Sequence, residues 1–326
     1  MQASPEILVR GSGCVARSLA LALGAQGLRV ALLDLGGSRQ RDDAADDDVR
    51  SYALNAGSVA LLRELRVWDS LPGDAVTPVY DMDVHGDATG RIGFSAWQQG
   101  VAALAFIVDA GALEAQLAQA LRFSPHVQTV SQGVAAPLTA ICEGRDSAGR
   151  AERGVRFEPL SCGQRAIAAR LICTEPHQGV ARQWFRSPDV LALLPTSRPQ
   201  PGASVSLVWS LPEARAAELL ALDDAAFEAA LRQATGQELK LASRRMSWPL
   251  TLARAEPLLG AGWVLLGDAA HTIHPLAGQG LNLGLGDVAV LARVIRERES
   301  WRSSATSGCC AATRANASPR PGPWAS

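Results

Sequence analysis

The chain has 326 residues, of which 48% are hydrophobic, and a formal net charge of −1 at pH 7. A chain of this length can bury a sizeable core and is expected to divide into two domains. The balanced charge excludes a nucleic-acid-binding surface built on a basic stripe, and no apolar run approaches the about 18 residues of a membrane span. Six cysteines without C-x-x-C or metal-ligand spacing predict reduced thiols in a cytoplasmic protein rather than a disulfide framework.

The first organised unit is a predicted strand, turn, helix and second strand. Its elements are, in order, a strand at 7–9, a turn at 11–16, a helix at 16–26 and a strand at 29–33. The turn reads G-x-G-x-x-A, from Gly11 and Gly13 to Ala16, and Asp34 follows the second strand. The glycines permit a pyrophosphate to approach the helix N-terminus, and Asp34 can accept hydrogen bonds from a ribose. The unit predicts dinucleotide binding, with an ordinary βαβ turn as the alternative.

Residues 36–163 predict helices, strands and one solvated acidic loop. In chain order we expect a loop at 36–49, a helix at 53–64, a hairpin of 79–84 with 91–94, a helix at 110–122, and strands at 126–130 and 138–142. Asp109 is predicted to cap the helix that follows it. Arg50 precedes the first helix, where it can clamp a phosphate or ribose or lie as an ordinary surface arginine, and spacing alone does not separate these roles.

From residue 164 the pattern becomes that of a mainly antiparallel sheet with flanking helices. We expect strands at 165–174, 179–185, 190–194, 205–210 and 243–248, and helices at 212–220 and 224–235. Trp184, Trp209 and Trp248 are expected in its core rather than in a pocket wall. His177 can face a substrate or stabilise the sheet. Residues 301–326 are rich in Ser, Ala, Arg and Pro, lack an apolar period and predict disorder.

The longest constrained motif lies near the end of the chain. It consists, in order, of a strand at 263–266, Gly267 and Asp268, a turn at Pro275, and a helix start at Gly278, Gln279 and Gly280. Backbone N–H groups at that helix start have no partner within the helix and can point at an anion or a dipolar ring. His271 and His274 are three positions apart, but no third ligand is spaced to join them, so no metal site is predicted.

This motif carries a family resemblance. Residues 267–284, GDAAHTIHPLAGQGLNLG, with Asp287 after them, resemble the flavin-binding signature of the class A FAD-dependent aromatic hydroxylases, and among these the ubiquinone-biosynthesis hydroxylases. Residues 175–183 and 206–211 are similar to the branch that hydroxylates a polyprenylphenol ring. The resemblance implies an α/β fold: a Rossmann-like FAD-binding domain with an inserted, mainly antiparallel β-sheet substrate domain. The implied divisions are FAD-binding parts at 1–77, 101–163 and 257–300, a substrate-domain hairpin at 78–100, a substrate domain at 164–256, and an aberrant or disordered tail at 301–326.

The resemblance also assigns residues to the cofactor. Those implied to approach FAD are Gly11, Gly13 and Ala16 at the pyrophosphate, Asp34 at the adenosine ribose, Arg50 and Asp268 at the ribityl and pyrophosphate region, Gly267 beside them, and Pro275, Gly278, Gln279, Gly280 and Asn282 near the isoalloxazine ring. A helix N-terminus beside that ring favours negative charge on the reduced flavin. No catalytic residue is identified.

Three features of the sequence bear on activity. The middle motif, Asp-Gly-x-x-Ser-x-x-Arg in the family, begins here with Glu143, so its hydrogen bonds are expected to be misplaced. Arg10 stands at the end of the first strand, where a small or apolar residue is expected. After Trp301 the sequence no longer resembles the family, which suggests a frameshifted or truncated C-terminus.

The implied activity is FAD- and NAD(P)H-dependent monooxygenation of an aromatic ring through a flavin hydroperoxide. The implied substrate is a polyprenylphenol of ubiquinone biosynthesis. The implied setting is the cytoplasm, with peripheral contact at the inner face of the membrane, other ubiquinone-biosynthesis proteins as partners, and no nucleic acid. Two alternatives are a catalytically impaired FAD-binding relic of the family and a hydroxylase of another aromatic compound.

Overall fold

The structure is a computed structural model, and it describes residues 4–34, 48–87, 89–273 and 279–298. The predictions made for Pro275, Gly278, His274, most of the acidic loop and the 301–326 tail lie outside these residues. Within them, no helix combines the length and the apolar character that crossing a bilayer requires.

The described residues form nineteen strands and eight α-helices. The strands are β1 (Ile7–Arg10), β2 (Val30–Leu33), β3 (Ser51–Leu54), β4 (Val76–Val79), β5 (Asp81–His85), β6 (Arg91–Ser95), β7 (Ala105–Asp109), β8 (Val127–Val130), β9 (Leu138–Ile141), β10 (Arg156–Phe157), β11 (Leu160–Cys173), β12 (Val180–Arg186), β13 (Asp189–Thr196), β14 (Ser204–Pro212), β15 (Leu239–Leu241), β16 (Met246–Glu256), β17 (Leu259–Gly260), β18 (Trp263–Leu265) and β19 (His271–Thr272). The helices are α1 (Cys14–Gly24), α2 (Ala56–Glu64), α3 (Ala96–Gln99), α4 (Ala110–Arg122), α5 (Ala148–Ala151), α6 (Glu213–Ala221), α7 (Asp224–Thr235) and α8 (Gln279–Arg296), with short 3-10 turns at Trp68–Ser70, Gly73–Ala75 and Gly267–Ala269.

A six-stranded sheet carries the predicted dinucleotide unit. Its order is β17-β18-β9-β1-β2-β8, and every pair is parallel except β17 with β18. Parallel neighbours need a crossover connection, and α1 supplies it between β1 and β2. Strand residues such as Ile7 and Val30 are buried, as are Leu19 and Leu23 of α1, in one apolar core. This arrangement confirms the Rossmann-like part of the predicted fold.

The second large sheet has ten strands and is mainly antiparallel, as predicted. Its order is β10-β16-β11-β14-β13-β12-β5-β6, with β15 beside β11 and β19 beside β16. The predicted hairpin joins this sheet through the parallel pairing of β5 with β12. The core beneath α6 and α7 includes Trp184, Trp209 and Phe227, and the last two rings lie 6.3 Å apart. Trp248 is only partly buried and lies outside that cluster.

One predicted helix boundary is wrong. The helix expected from Ala53 instead begins at Ala56, because residues 51–54 form β3, which pairs with β7 in a separate three-stranded sheet. Asn55 ends the strand and caps α2, accepting a hydrogen bond from the Ser58 amide at 2.8 Å. Tertiary pairing therefore outweighed local helix propensity. The predicted cap at Asp109 is confirmed, since its carboxylate accepts from the Ala112 amide at 3.1 Å.

Candidate cofactor site

The first glycine turn lies at the carboxyl ends of parallel strands. Gly11 has φ +133°, and a β-carbon there would stand 2.4 Å from the Cys142 carbonyl oxygen, so only glycine fits. Gly13 precedes α1, and a β-carbon on it would have nothing within 4 Å. The first turn of α1 holds no acidic residue. Its amides can therefore receive an anion from this open side. Ala16 is fully buried and packs against Gly11, and its implied approach to the pyrophosphate stays a prediction.

The second glycine motif packs directly on the first. Gly267, at φ +61°, begins the 3-10 turn, and a β-carbon there would lie 3.3 Å from Val15 Cγ2. A β-carbon on Gly284 of α8 would lie only 2.6 Å from the same methyl group. Val15 lies in the first turn of α1, within the motif from Gly11 to Ala16, so one side chain contacts both halves of the predicted site. The two motifs, far apart in sequence, thus border one cleft.

Asp268 lies at the open side of this cleft. Its side chain reaches solvent, and its Oδ1 stands 4.0 Å from the position of a β-carbon on Gly280, at the start of α8. The surrounding protein removes enough water from the carboxyl to raise its pKa, an effect that the charges of Arg145 and His271 oppose. The Asp268 carboxylate and the N-terminus of α8 therefore lie side by side. The carboxylate can bind ligand hydroxyls, and the helix N-terminus can bind an electron-rich ring.

A buried aspartate fixes the turn that carries Asp268. Asp287 Oδ2 accepts hydrogen bonds from the Gly267 amide at 2.9 Å and from His271 Nε2 at 2.8 Å. Burial lowers the pKa of His271, but the hydrogen bond and charge of Asp287 outweigh it, so the net shift is upward. His271 therefore orients the turn. Among the described residues no group of three or more His, Cys, Asp or Glu could hold a metal ion.

Asn282 of α8 is hydrogen-bonded to two other segments of the chain. Its amide oxygen accepts from the Asn55 amide at 2.9 Å and from Ser58 Oγ at 2.7 Å, while its nitrogen donates to the Ala53 carbonyl at 2.7 Å. The residue is buried. It ties α8 to the end of β3 and the start of α2. The implied contact of Asn282 with the flavin ring stays a prediction.

Arg50 is held by acidic neighbours at the start of β3. Its guanidinium pairs with both carboxylate oxygens of Asp48 and, at 2.9 Å, with Glu114 of α4. Buried Arg170, from the ten-stranded sheet, donates to the Asp48 carbonyl and to the Asp109 carboxylate. A side chain of the second sheet thus braces the segment that orients Arg50. Asp34 lies, as predicted, directly after β2.

The altered middle motif is intact in its contacts, so the predicted misplacement of its hydrogen bonds is wrong. Glu143 Oε2 accepts from Ser147 Oγ at 2.8 Å and from the Gly149 amide at 2.7 Å. Its other oxygen accepts from Arg10 Nε at 2.6 Å. The sequence showed Arg10 and Glu143 as two separate anomalies. They form an ion pair with each other. Two unusual residues of opposite charge were the sign in the sequence that could have predicted this pairing.

His177 stabilises a turn and does not face a substrate. Its Nδ1 accepts from the Gly179 amide at 3.0 Å and its Nε2 donates to the Thr196 carbonyl at 3.2 Å. Burial lowers its pKa, so the neutral ring is favoured. The structure therefore decides between the two roles that the sequence allowed.

The residues present fit an FAD molecule. The Gly11 turn excludes any β-carbon, the space beside Gly13 is open, and the N-terminus of α1 can bind a pyrophosphate. Asp268 and the start of α8 lie across the same cleft. The donor and acceptor groups are those that an adenine dinucleotide and a flavin ring require.

Solved structures share this fold. PqsL of Pseudomonas aeruginosa, described as a probable FAD-dependent monooxygenase, aligns over 96% of this chain and 93% of its own, with a TM-score of 0.77 and 16% identity. The flavin-dependent brominase Bmp2 aligns over 96% and 83%, with a TM-score of 0.74 and 13% identity. At these identities the similarity shows the architecture.

Sequence relatives identify the family. A sequence model of the FAD binding domain family matches residues 95–306. The chain is 32% identical to the ubiquinone hydroxylase UbiL of Rhodospirillum rubrum, covering 88% of this chain and 71% of that protein. It is 28% identical to the 3-demethoxyubiquinol 3-hydroxylase of Escherichia coli, covering 91% and 81%. The chain therefore belongs to the FAD binding domain family and, within it, to the FAD-dependent monooxygenases of the ubiquinone hydroxylase type, for which NAD(P)H is the usual reductant.

Proposed function

We propose that the chain hydroxylates the aromatic ring of a polyprenylphenol intermediate in ubiquinone biosynthesis. The observation that supports this most is the similarity to two named ubiquinone hydroxylases over most of the chain. A third relative, the ubiquinone biosynthesis monooxygenase COQ6 of Danio rerio, is 26% identical over 90% of this chain and 74% of its own. The joined glycine motifs provide the cofactor cleft that such an activity needs.

In this proposal different residues bind different parts of the cofactor. Gly11, Gly13 and the N-terminus of α1 bind the pyrophosphate, and Asp34 binds the adenosine ribose. Arg50 and Asp268 bind the middle of the cofactor. Bound FAD supplies the oxygen-transfer chemistry after reduction by NAD(P)H. The start of α8, with Gln279 and Gly280, would bring the positive end of a helix dipole to the ring.

An impaired relic of the family is less well supported than an active enzyme. Two of its grounds were Arg10 and Glu143, and these side chains satisfy each other. The Gly267 amide is also hydrogen-bonded to Asp287, which accepts from His271 as well. A hydroxylase of a different aromatic compound remains an outcome that a substrate test distinguishes.

We propose further that residues 78–100 and 164–256 form the substrate unit, and that the substrate enters between this unit and the FAD-binding residues. A polyprenyl chain is insoluble in water, so the enzyme would take its substrate at the inner face of the membrane, beside other ubiquinone-biosynthesis proteins. This placement rests on the chemistry of the proposed substrate.

Two measurements test the proposal. The purified protein should be yellow or take up added FAD, and NADPH should bleach the oxidised-flavin absorbance. Expression in cells that lack each quinone hydroxylase in turn should restore ubiquinone in one of them, with product analysis giving the ring position. An Asp268→Ala variant is the matched control for cofactor binding, because it removes a side chain that is proposed to hold FAD. Protein that stays colourless with added FAD contradicts the cofactor site, and FAD-loaded protein that restores no strain contradicts the substrate.

A further inference from the structure

A line of polar contacts runs from the end of β1 to the turn of Asp268. It begins at Arg10, the residue before Gly11. Arg10 Nε donates to Glu143 at 2.6 Å, and its two terminal nitrogens donate to Glu152 at 2.6 Å and 3.0 Å. The Arg10 carbonyl also accepts from the Cys142 amide at 2.7 Å. Both backbone and side chain of Arg10 thus hold the segment that follows β9.

Glu143 shapes the loop that it begins. One of its oxygens accepts from both Ser147 Oγ and the Gly149 amide, so residues 143–149 fold around a single carboxylate. The loop also closes over Arg10, because a β-carbon on Gly149 would stand 3.0 Å from Arg10 Cζ. The conformation of this loop therefore depends on both charges.

Arg150 carries the contact on to the second half of the cleft. Ser147 Oγ accepts from the Arg150 amide at 3.1 Å, which fixes the start of α5. Arg150 Nη1 then donates to the carbonyl of Ala269 at 3.1 Å, and its guanidinium lies 3.4 Å from the ring centre of Phe157. Ala269 ends the turn that begins at Gly267 and carries Asp268.

The two acidic partners of Arg10 differ in their exposure to solvent. The side chains of Arg10 and Glu143 are 12% and 8% exposed, whereas Glu152 is 54% exposed. A buried ion pair adds little net stability compared with an apolar pair of the same size, but it fixes geometry through short, directed hydrogen bonds. The exposed pair with Glu152 is screened by solvent and contributes less.

We propose that Arg10 is a positioning residue of the FAD cleft. Through Glu143 and the 143–150 loop it sets the spacing between the Gly11 turn and the Gly267–Ala269 turn, and hence the fit of both halves to one cofactor. This inference rests on the FAD site proposed above. It assigns Arg10 no contact with FAD itself.

The test compares FAD binding with folding in four proteins. Arg10→Met/Glu143→Gln removes both charges, so no buried charge is left unpaired. Arg10→Lys keeps the charge but loses the forked geometry. Glu152→Gln is the matched control, since it removes only the exposed partner. FAD affinity is measured by quenching of flavin fluorescence, the bound ring by its visible circular dichroism, and the apoprotein by urea unfolding.

We expect the double variant to bind FAD about tenfold more weakly, which corresponds to about one hydrogen bond of binding free energy, with an altered flavin dichroism spectrum. Its apoprotein should unfold near the wild-type urea midpoint. Arg10→Lys should lie between it and the wild type, and Glu152→Gln should bind FAD like the wild type. A folded double variant with wild-type affinity and dichroism overturns the proposal.

If the double variant does not fold, Arg10→Lys decides the question. Hydrogen exchange of the 267–273 amides in its apoprotein should then be faster than in the wild type, with weaker FAD binding. Wild-type values for both overturn the proposal. A wild-type protein that takes up no FAD contradicts the cofactor site itself. This outcome differs from a failure of the Arg10 proposal, because it is seen in the unsubstituted protein.

Discussion

Val15 and Gly284 are in contact at the base of the cofactor cleft. The Val15 Cγ2 methyl group lies 2.6 Å from the place where a β-carbon on residue 284 would stand. Real β-carbons do not approach carbon atoms this closely, so α8 can lie against the first glycine turn only while residue 284 is glycine. The contact decides how near the two motifs come.

Gly284→Ala is therefore expected to destabilise the protein by about 1–3 kcal/mol, because it overpacks a close contact. It should also weaken FAD binding, since α8 must move away from the turn. Urea unfolding and flavin fluorescence give both quantities. Gly286→Ala is the control on the same helix, since a β-carbon there meets nothing within 4 Å, and it should be neutral or stabilising. Val15→Ala/Gly284→Ala should recover part of the loss, and no recovery would argue against the contact as the cause.

Arg170→Met tests the contact between the ten-stranded sheet and the three-stranded sheet. It leaves the Asp109 carboxylate largely buried without its ion-pair partner, and removing one member of such a pair costs about 3–5 kcal/mol. We expect a correspondingly lower urea midpoint and weaker FAD binding, because Arg170 also braces the Asp48 segment. Arg91→Met removes an exposed ion pair with Asp83 and should leave the midpoint unchanged. Equal effects of the two variants would contradict the role given to Arg170.

The ion pair of His271 with Asp287 predicts a pH dependence of stability. The folded pKa of His271 is raised above its unfolded value near 6.5, so the protonated ring is favoured by folding. Its contribution is therefore complete below about pH 6.5 and is lost as the pH rises through the folded pKa. His271→Gln keeps a donor that does not titrate. The free energy of unfolding of the wild type minus that of the variant should fall with rising pH; a difference that grows with pH would show the opposite sign.

The cysteines should differ in reactivity. Burial raises the pKa of Cys14 to about 12, so its thiol stays protonated near neutral pH. Cys162 is only partly buried. Alkylation with iodoacetamide at about pH 8, followed by mass spectrometry of peptides, should label Cys162 before Cys14, and Cys14 only after unfolding. Labelling of Cys14 at the rate of Cys162 would mean that the first glycine turn opens readily.

Local patterns predicted those parts of the fold whose causes are local. The helix at 110–122 and its Asp109 cap depend on neighbouring residues, and both are present. The glycines at 11 and 267 have positive φ, in line with a motif that demands glycine. By contrast, β3 replaces the start of a predicted helix because its partner β7 lies more than fifty residues away in the chain.

The unpredicted parts of the site are all contacts between distant segments. Neither the bridge of Asn282 to the Ala53 carbonyl nor the pairing of Arg10 with Glu143 leaves a periodic trace in one sequence. A lone arginine at a strand end and a glutamate in place of aspartate each suggested a defect. Only their distance of 2.6 Å shows that one substitution accommodates the other.

The Val15 side chain packs against both Gly267 and Gly284. The cleft can therefore form during synthesis only after all three residues have been made. β1 leaves the ribosome well before its neighbours, since β9 follows more than a hundred residues later and β18 more than a hundred residues after β9. The apolar side chain of Val15 therefore stays uncovered until β18 and α8 have emerged. Such late, non-local closure is slow and exposes apolar surface to association with other chains. Nascent protein is consequently most vulnerable while α8 is still missing, and cofactor can stabilise the cleft only after α8 has docked.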